Sequence, residues 1–262
     1  VSSAYARLVA GDVEASSAPS IRPQPSAGLL YYSDCRGDAT ILKAVRDQLL
    51  FCAGDRPIVS VTLAPLDFGR NIVLTLERGY LTLARQILTG LEALETDVVF
   101  FCEHDVLYAP EHFQFALPSG DVFWYNENRW QVSAADGRAV HYRCGQLSGL
   151  CADRQLLLQH YRKRLAIFER YGYQRNNGFE PGTNAWSRSI DPHGSDVWFS
   201  ARPNIDVRTR YNLTKTRWAV SEFRNQNSCQ GWIESDGVPG WGVTKGRFAA
   251  FLADVTPKEK GA

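Results

Sequence analysis

Between residues 28 and 105 the sequence alternates short apolar runs with amphipathic helical patterns, and few architectures accommodate that order. Leu29-Leu30-Tyr31-Tyr32-Ser33 runs into polar Asp34, as a buried parallel strand feeding a loop would. Residues 39–50 follow, with Ile41, Leu42, Val45, Leu49 and Leu50 at helical spacing and Asp38 placed to cap them. Ile58-Val59-Ser60-Val61-Thr62-Leu63 is a second strand, stopped by Pro65. Over 77–94, Tyr80, Leu83, Ala84, Ile87, Leu88, Leu91 and Leu94 form one helical face; Thr96-Asp97 breaks it and Val98-Val99-Phe100-Phe101-Cys102 is a third strand. This order predicts a parallel α/β sheet, because parallel neighbours need a crossover helix. Ligands in such sheets bind beyond the carboxyl ends of the strands. Asp34, the 65–71 segment with Asp67 and Asn71, and Glu103-His104-Asp105 all fall at such ends, so one crevice is expected to gather them.

After Asp105 the texture changes. Residues 122–125 and 130–132 read as strands, with Trp124, Tyr125 and Trp130 packed in a hairpin or offering a sugar-stacking platform; Asp136-Gly137 is a turn before Val140-His141-Tyr142. A helix is predicted over 153–171, opened by the small-residue turn Ser148-Gly149-Leu150-Cys151, with His160 on its packed face. Residues 172–247 read as a long loop-like segment of the kind that is often functional. Residues 1–26, rich in Ala, Ser and Pro, read as a tail with a short helix near 5–9, and residues 256–262 as a polar tail.

At 44% hydrophobic and 12% aromatic the chain can bury a sizeable core. Its 29 basic and 28 acidic residues nearly cancel, which argues against a surface built as a whole to grip nucleic acid or anionic membrane. The six cysteines form no CxxC and no zinc-spaced pair; buried free thiols and a cytoplasmic location are expected. No run approaches the roughly 20 apolar residues of a membrane span, and no basic-then-apolar leader is visible. Asn212-Leu213-Thr214 matches a glycosylation sequon and, with no such leader, is read as coincidence.

An apolar strand delivered straight into Glu103-His104-Asp105 puts two carboxylates on one side of an extended chain. They repel unless a cation, a basic group or water screens them, and Mn²⁺ or Mg²⁺ with phosphate oxygens is one solution. The bland alternative is a strand end opening into solvent. Residues 208–218 pack Arg208, Arg210, Lys215 and Arg217 around Tyr211 and Trp218. Such a loop suits a diphosphate, a nucleic-acid backbone, or merely a solvated basic face.

The strand–helix–strand–helix–strand order ending in Phe100-Phe101-Cys102-Glu103-His104-Asp105, followed by Val106-Leu107-Tyr108-Ala109-Pro110, resembles the GT-A glycosyltransferases. In that family an Asp-X-Asp element holds a divalent metal against the diphosphate of a nucleotide-sugar. The resemblance covers roughly residues 28–200 and implies a GT-A-like, mostly parallel sheet flanked by helices with an irregular C-terminal lobe. It implies a single domain over 27–255, the nucleotide part about 27–115 and the acceptor part about 116–255. Asp105 is then the direct metal ligand, Glu103 acts beside it or through water, and His193 is the candidate later histidine, ahead of His141 and His160. Glu77-Arg78-Gly79-Tyr80 with Arg85 is similar to the helix that places polar groups near the nucleotide, so Asp34, Asp67, Asn71, Tyr80 and Arg85 are expected nucleotide contacts. Arg208, Arg210, Lys215 and Arg217 are the expected diphosphate clamp. The donor is expected to be a nucleoside diphosphate sugar, with a UDP-sugar favoured; a glycan, lipid, protein or modified nucleic acid remains open as acceptor. Inverting transfer needs a base for the acceptor hydroxyl, and Glu180 and then Asp196 are the candidates.

The first acid here is Glu rather than Asp, which leaves two other readings, an inactive GT-A-like binding module and a sugar nucleotidyltransferase. For the latter, Asp34-Cys35-Arg36-Gly37 is a poor phosphate loop. A glycoside hydrolase is disfavoured because its acid and base sit at least about 5 Å apart across the scissile bond. No GxGxxG follows the first strand and no GK[ST] occurs, which disfavours dehydrogenase and P-loop chemistry.

Overall fold

The structure, a computed structural model, describes residues 25–255. The terminal expectations, a helix near 5–9 and a polar tail over 256–262, lie outside the described residues. The elements in order are β1 (Ala27–Ser33), α1 (Ala39–Ala53), β2 (Ile58–Thr62), β3 (Arg70–Val73), α2 (Tyr80–Ala93), β4 (Val98–Glu103) and β5 (Val106–Leu107). Then come β6 (Phe123–Asn126), β7 (Arg129–Ser133), β8 (Ala139–His141), β9 (Leu150–Asp153), α3 (Arg154–Tyr171), α4 (Ala185–Ile190), β10 (Ser195–Trp198) and β11 (Asn204–Arg208). Three short strands, β12 (Ile233–Ser235), β13 (Gly237–Val238) and β14 (Gly242–Val243), precede α5 (Phe248–Val255).

The main sheet has seven strands in the order β10-β6-β9-β4-β1-β2-β3. Its pairs are parallel except where β9 runs against β4 and β6, so the expected mostly parallel α/β sheet is present. Period-2 alternation in β1 splits the core. Leu30 and Tyr32 pack with Ile87 and Leu91 of α2 and Leu157 and Tyr161 of α3, while Leu29 and Tyr31 pack with Leu49 and Cys52 of α1 on the other face. Asp38 caps α1 as expected, its carboxylate accepting from the backbone N–H of Thr40 (2.9 Å) and Ile41 (3.2 Å).

A second sheet, β12-β8-β7-β11-β5, packs with α1 and α5. β4 belongs to the first sheet and β5 to the second, so the chain crosses between them through the turn His104-Asp105. β11 is then laid antiparallel on β5, and Val207 N–H donates to the Asp105 carbonyl at 2.7 Å. The residues that follow Val207 are thereby delivered to the end of β4.

Several expectations are corrected. The 65–71 segment is not all loop, because Arg70–Val73 adds a parallel edge strand to β2. Strands β6 and β7 do not form a hairpin; they part into different sheets at a bend where Asn126 Oδ1 accepts from Asn128 N–H at 3.0 Å. Trp124 therefore stands near Phe115, Tyr125 is buried, and Trp130 lies beside His141. Residues 150–153 form the antiparallel strand β9 instead of a turn opening the helix. The 172–247 segment carries α4 and five strands. All six cysteines are free, and four of them, Cys52, Cys102, Cys151 and Cys229, are buried. Among the described residues no helix is long and apolar enough to cross a membrane.

Candidate functional site

A cavity of about 160 Å³ opens where the carboxyl ends of β1, β2 and β4 meet the start of α2. Tyr32, Ser33 and Asp34 enter from β1, Leu63 follows β2, and Glu103, His104 and Asp105 leave β4. Arg78, Thr82 and Gln86 come from the head of α2, Glu180 from the segment before α4, and Arg208 with Asn212 from β11 and the loop beyond it.

The acids lie in unequal surroundings. Tyr32 and Glu103 are register partners across β1 and β4, and the Tyr32 hydroxyl donates to Glu103 Oε1 at 2.9 Å. Tyr108 OH accepts the Glu103 backbone N–H at 3.0 Å. The Asn212 amide donates to the Asp105 carboxylate. Asp34 pairs with Arg78 Nε at 2.5 Å, and Arg78 also donates to the Tyr211 carbonyl at 2.6 Å. Ser33 Oγ and His104 Nδ1 share a hydrogen bond at 2.8 Å. Buried Asp206 is gripped by Arg129 (2.9 Å) and Arg208 (3.2 Å), which fixes Arg208 at the cavity wall.

Asp34 and Asp206 are therefore neutralised by arginines, whereas the hydrogen bonds to Glu103 and Asp105 come from neutral groups. Burial, then the charge of Asp105, pushes Glu103 up to about 8. Burial likewise raises Asp105, with His104 acting the other way. Glu180 is raised by burial too, against backbone N–H groups of its own turn, among them that of Phe179, which donates to Oε2 at 3.2 Å. Two carboxylates closed off together in this way favour either a shared proton or a cation.

Among the described residues no three His, Cys, Asp or Glu side chains converge as a complete metal cage. The donor chemistry still fits one kind of ion, since Mg²⁺-like cations commonly take one or two carboxylates and complete their shell with phosphate oxygens and water. Glu103 and Asp105 supply such a pair.

The other expected residues are not all gathered. Asp34, Glu103, Asp105, Glu180 and Arg208 line the cavity; Asp67, Asn71, Tyr80, Arg85, His193, Asp196, Arg210, Lys215 and Arg217 do not. Asp67 is exposed, and Asn71 is consumed locally, bonding Ser60 Oγ (2.8 Å), Thr62 Oγ1 (2.9 Å) and Leu66 N–H (3.1 Å). Tyr80 stands behind the wall against Tyr173 and Phe179, and Arg85 points outward to Glu169 at 3.1 Å. His193 Nδ1 donates to the Asp121 carbonyl at 2.9 Å, and Asp196 is exposed on edge strand β10. Of the loop's four cations only Arg208 reaches the cavity; Arg210 bonds Tyr211 OH at 2.7 Å, Arg217 lies 4.9 Å over the Phe223 ring, and Lys215 is exposed. His141 donates to the Arg129 carbonyl at 2.8 Å, and His160 is fully buried, as its helical pattern implied.

Sequence reasoning missed Tyr32, Asp206 and Asn212. Asp206 had a signal: Ile205 and Val207 alternate with Asp206 and Arg208, a period-2 pattern hidden in a stretch read as loop.

No protein-family model matches the sequence, and no curated relative matches it. Among solved structures the chain is similar to a mannosyltransferase from Pyrobaculum calidifontis, in complex with GDP-Man and Mn²⁺. Identity there is 14% and the TM-score 0.41, over 71% of this chain and 57% of that one. It is also similar to glucosyl-3-phosphoglycerate synthase from Mycobacterium tuberculosis, in complex with phosphoglyceric acid, at 13% identity and a TM-score of 0.36 over 71% and 73% of the two chains. The chain spans little more than half of the first of these, so its function has to be argued from the cavity itself.

Proposed function

We propose that the protein transfers a sugar from a nucleoside diphosphate carrier to an acceptor hydroxyl, and that Glu103 and Asp105 hold a divalent cation for the diphosphate. The observation that carries this reading is the pair of half-buried carboxylates, bonded by neutral donors, at the carboxyl end of a parallel strand beside Arg78 and Arg208. The resemblance of the residues around Glu103-His104-Asp105 to GT-A glycosyltransferases supports the same reading. A bound Mn²⁺ or Mg²⁺ would offset the negative charge of the departing diphosphate. Tyr32 orients Glu103, Asn212 occupies Asp105 in the absence of the cation, and Arg78 and Arg208 supply fixed positive charge around the phosphate position. Glu180 lines the same cavity from the turn before α4 and takes the acceptor proton. Its burial raises its proton affinity, which suits a base working near neutral pH.

Calorimetric titration with UDP and with GDP, with and without Mn²⁺, tests the assignment against an Asp105→Ala variant. Metal-dependent binding at micromolar strength that disappears in the variant is expected. The lack of binding in every combination would overturn the donor site. Tight binding without turnover of UDP-glucose or GDP-mannose would instead favour a binding module, a reading that the Asn212 contact on Asp105 keeps open.

A further inference from the structure

Glu180 sits on a turn whose carbonyls are each engaged by a side chain. Arg164 of α3 donates Nη1 to the carbonyls of Gly178 (3.0 Å) and Phe179 (2.8 Å). Thr183 Oγ1 donates to that of Glu180 (2.9 Å), Tyr125 OH to that of Pro181 (2.8 Å), and Arg188 Nη1 to that of Gly182 (3.1 Å). A connecting turn ordinarily runs over the surface with water satisfying such groups. Here side chains take that place, and the turn gains a defined conformation.

The main support, Arg164, is buried at 2% exposure, with Nε and Nη1 taken by hydrogen bonds and Nη2 without a partner. Its Nε donates to His160 Nε2 at 3.1 Å, which leaves the imidazole proton on Nδ1. That Nδ1 faces Asp191 Oδ2 across 3.6 Å, and both residues are sealed from solvent. Rings of Trp186 (5.1 Å), Tyr161 (5.8 Å) and Phe168 (5.9 Å) surround the guanidinium. Burial, with the nearby charge of Arg164, holds His160 down at about 2, so the ring stays neutral and serves Arg164 as an acceptor. None of these three polar residues lines the cavity.

We propose that His160 and Arg164 form a buried positioning relay that fixes the 178–182 turn and so aims the Glu180 carboxylate into the cavity shared with Glu103 and Asp105, Asp191 standing behind the imidazole without a hydrogen bond to it. This rests on the reading of Glu180 as the base. The relay works in two ways. It holds the two successive peptides that lead into Glu180, and it stations a positive charge near a carboxylate that burial would otherwise neutralise. The other ionisable groups facing Glu180 are Tyr125 and Tyr161 on the core side and Cys144, with Glu103 and Asp105 lining the same cavity. Asp34, Arg78, His104 and Arg208 line that cavity too, and Arg164 is the cation whose charge acts on Glu180 from behind the turn. A His160 substitution without an acceptor frees Arg164 Nε, lets the guanidinium turn and loosens both carbonyl contacts.

The test uses the full chain, with His160→Leu removing the acceptor and His160→Gln restoring one. The carboxyl titration of Glu180 is followed by ¹³C NMR, assigned by its disappearance in Glu180→Gln. His160→Leu should raise the Glu180 titration by about half a pH unit or more, as loss of a nearby opposite charge does. His160→Gln should return it to within about 0.2 of the parent. Turnover of UDP-glucose or GDP-mannose should fall about 10²-fold in His160→Leu at unchanged donor KM, the scale of an ångström-level misplacement. A folded His160→Leu with the parent Glu180 titration would overturn the relay, as would a His160→Gln no better than His160→Leu. If His160→Leu does not fold, Arg164→Lys, which keeps the charge but not the forked donors, is read by the same titration. Full turnover in Glu180→Gln would sink the base assignment alone, because the titration judges the relay without it.

Discussion

The side-chain amide of Asn212 donates to the carboxylate of Asp105, 107 residues earlier in the chain. The contact pins the loop after β11 over the cavity, and Arg78 adds a second pin through the Tyr211 carbonyl. It also turns the sequon asparagine inward, away from any modifying enzyme. An amide on a carboxylate competes with a cation for the same oxygen lone pairs.

Asn212→Ala is therefore expected to tighten Mn²⁺ binding in the presence of UDP. A hydrogen bond to a charged group contributes about 1.5–3 kcal/mol, so a gain near tenfold is reasonable. Calorimetry on the variant and parent decides it. Weaker Mn²⁺ binding in the variant would mean that Asn212 orients Asp105 for the ion and does not compete with it.

In the metal-free protein, Glu103 carries a folded-state value near 8 against about 4.5 when unfolded, because burial and Asp105 disfavour its charge. The folded state then holds the proton more tightly, and the stability this contributes is present below 4.5 and lost as pH rises through 8. Glu103→Gln removes the titration. Urea unfolding with a chelator present should show the variant gaining on the parent between pH 5 and 8, by less than about 1.4 kcal/mol per pH unit. A constant difference across that range would show that Glu103 is ionised throughout.

His112 works in the opposite direction. It is fully buried, accepts at Nδ1 from the amides of Asn126 (3.0 Å) and Asn204 (3.1 Å), and is held down at about 3 by burial. The unfolded chain binds a proton near pH 6.5 that the folded one refuses, so this contribution is present above 6.5 and lost as pH falls toward 3. His112→Gln should be less stable overall yet flatter between pH 6.5 and 5, by up to about 1.4 kcal/mol per pH unit. Parallel stability curves for parent and variant would contradict it.

What was legible in the sequence follows from physical range. β1, β2 and β4 are short apolar runs and α1 and α2 carry apolar residues at helical spacing, so the crevice at the strands' carboxyl ends follows from connectivity alone. Edge strand β3 is partly exposed and carries too short a pattern to read. The false β6–β7 hairpin came from two strands separated by only Glu127 and Asn128, a spacing that gives no hint of the Asn126 bend sending them to separate sheets. Within the site, Glu103 and Asp105 stood out because chemistry and strand end coincide. Asn212 and Arg164 reach Asp105 and the 178–179 carbonyls, unmarked by any local period, whereas the alternation around Asp206 was there to see in a stretch read as loop. Arg85 and His193 fit the GT-A resemblance by sequence place, yet their side chains meet Glu169 and Asp121 instead.

The sharpest stability prediction concerns Gly137, in the turn joining β7 to β8. Its φ of +74° lies in the left-handed region, where a Cβ costs about 1–3 kcal/mol. A Cβ there would also stand 1.9 Å from the Thr244 carbonyl oxygen, a backbone atom that cannot swing aside. That carbonyl region is fixed in turn, since Thr244 Oγ1 donates to the Gly137 carbonyl at 2.6 Å and Thr244 N–H to that of Asp236 at 3.0 Å. Gly137→Ala must therefore push the turn away from the segment leading into α5, which closes the core beneath β7 and β11. A loss of about 2–4 kcal/mol in urea unfolding is expected, against about half that or less for a strain-only position. Since β11 also places Asp206 and Arg208, donor binding should weaken alongside stability. A loss below about 1 kcal/mol would mean that the turn and the Thr244 segment separate easily, and that the second sheet does not hold Arg208 as rigidly as its buried ion pairs imply.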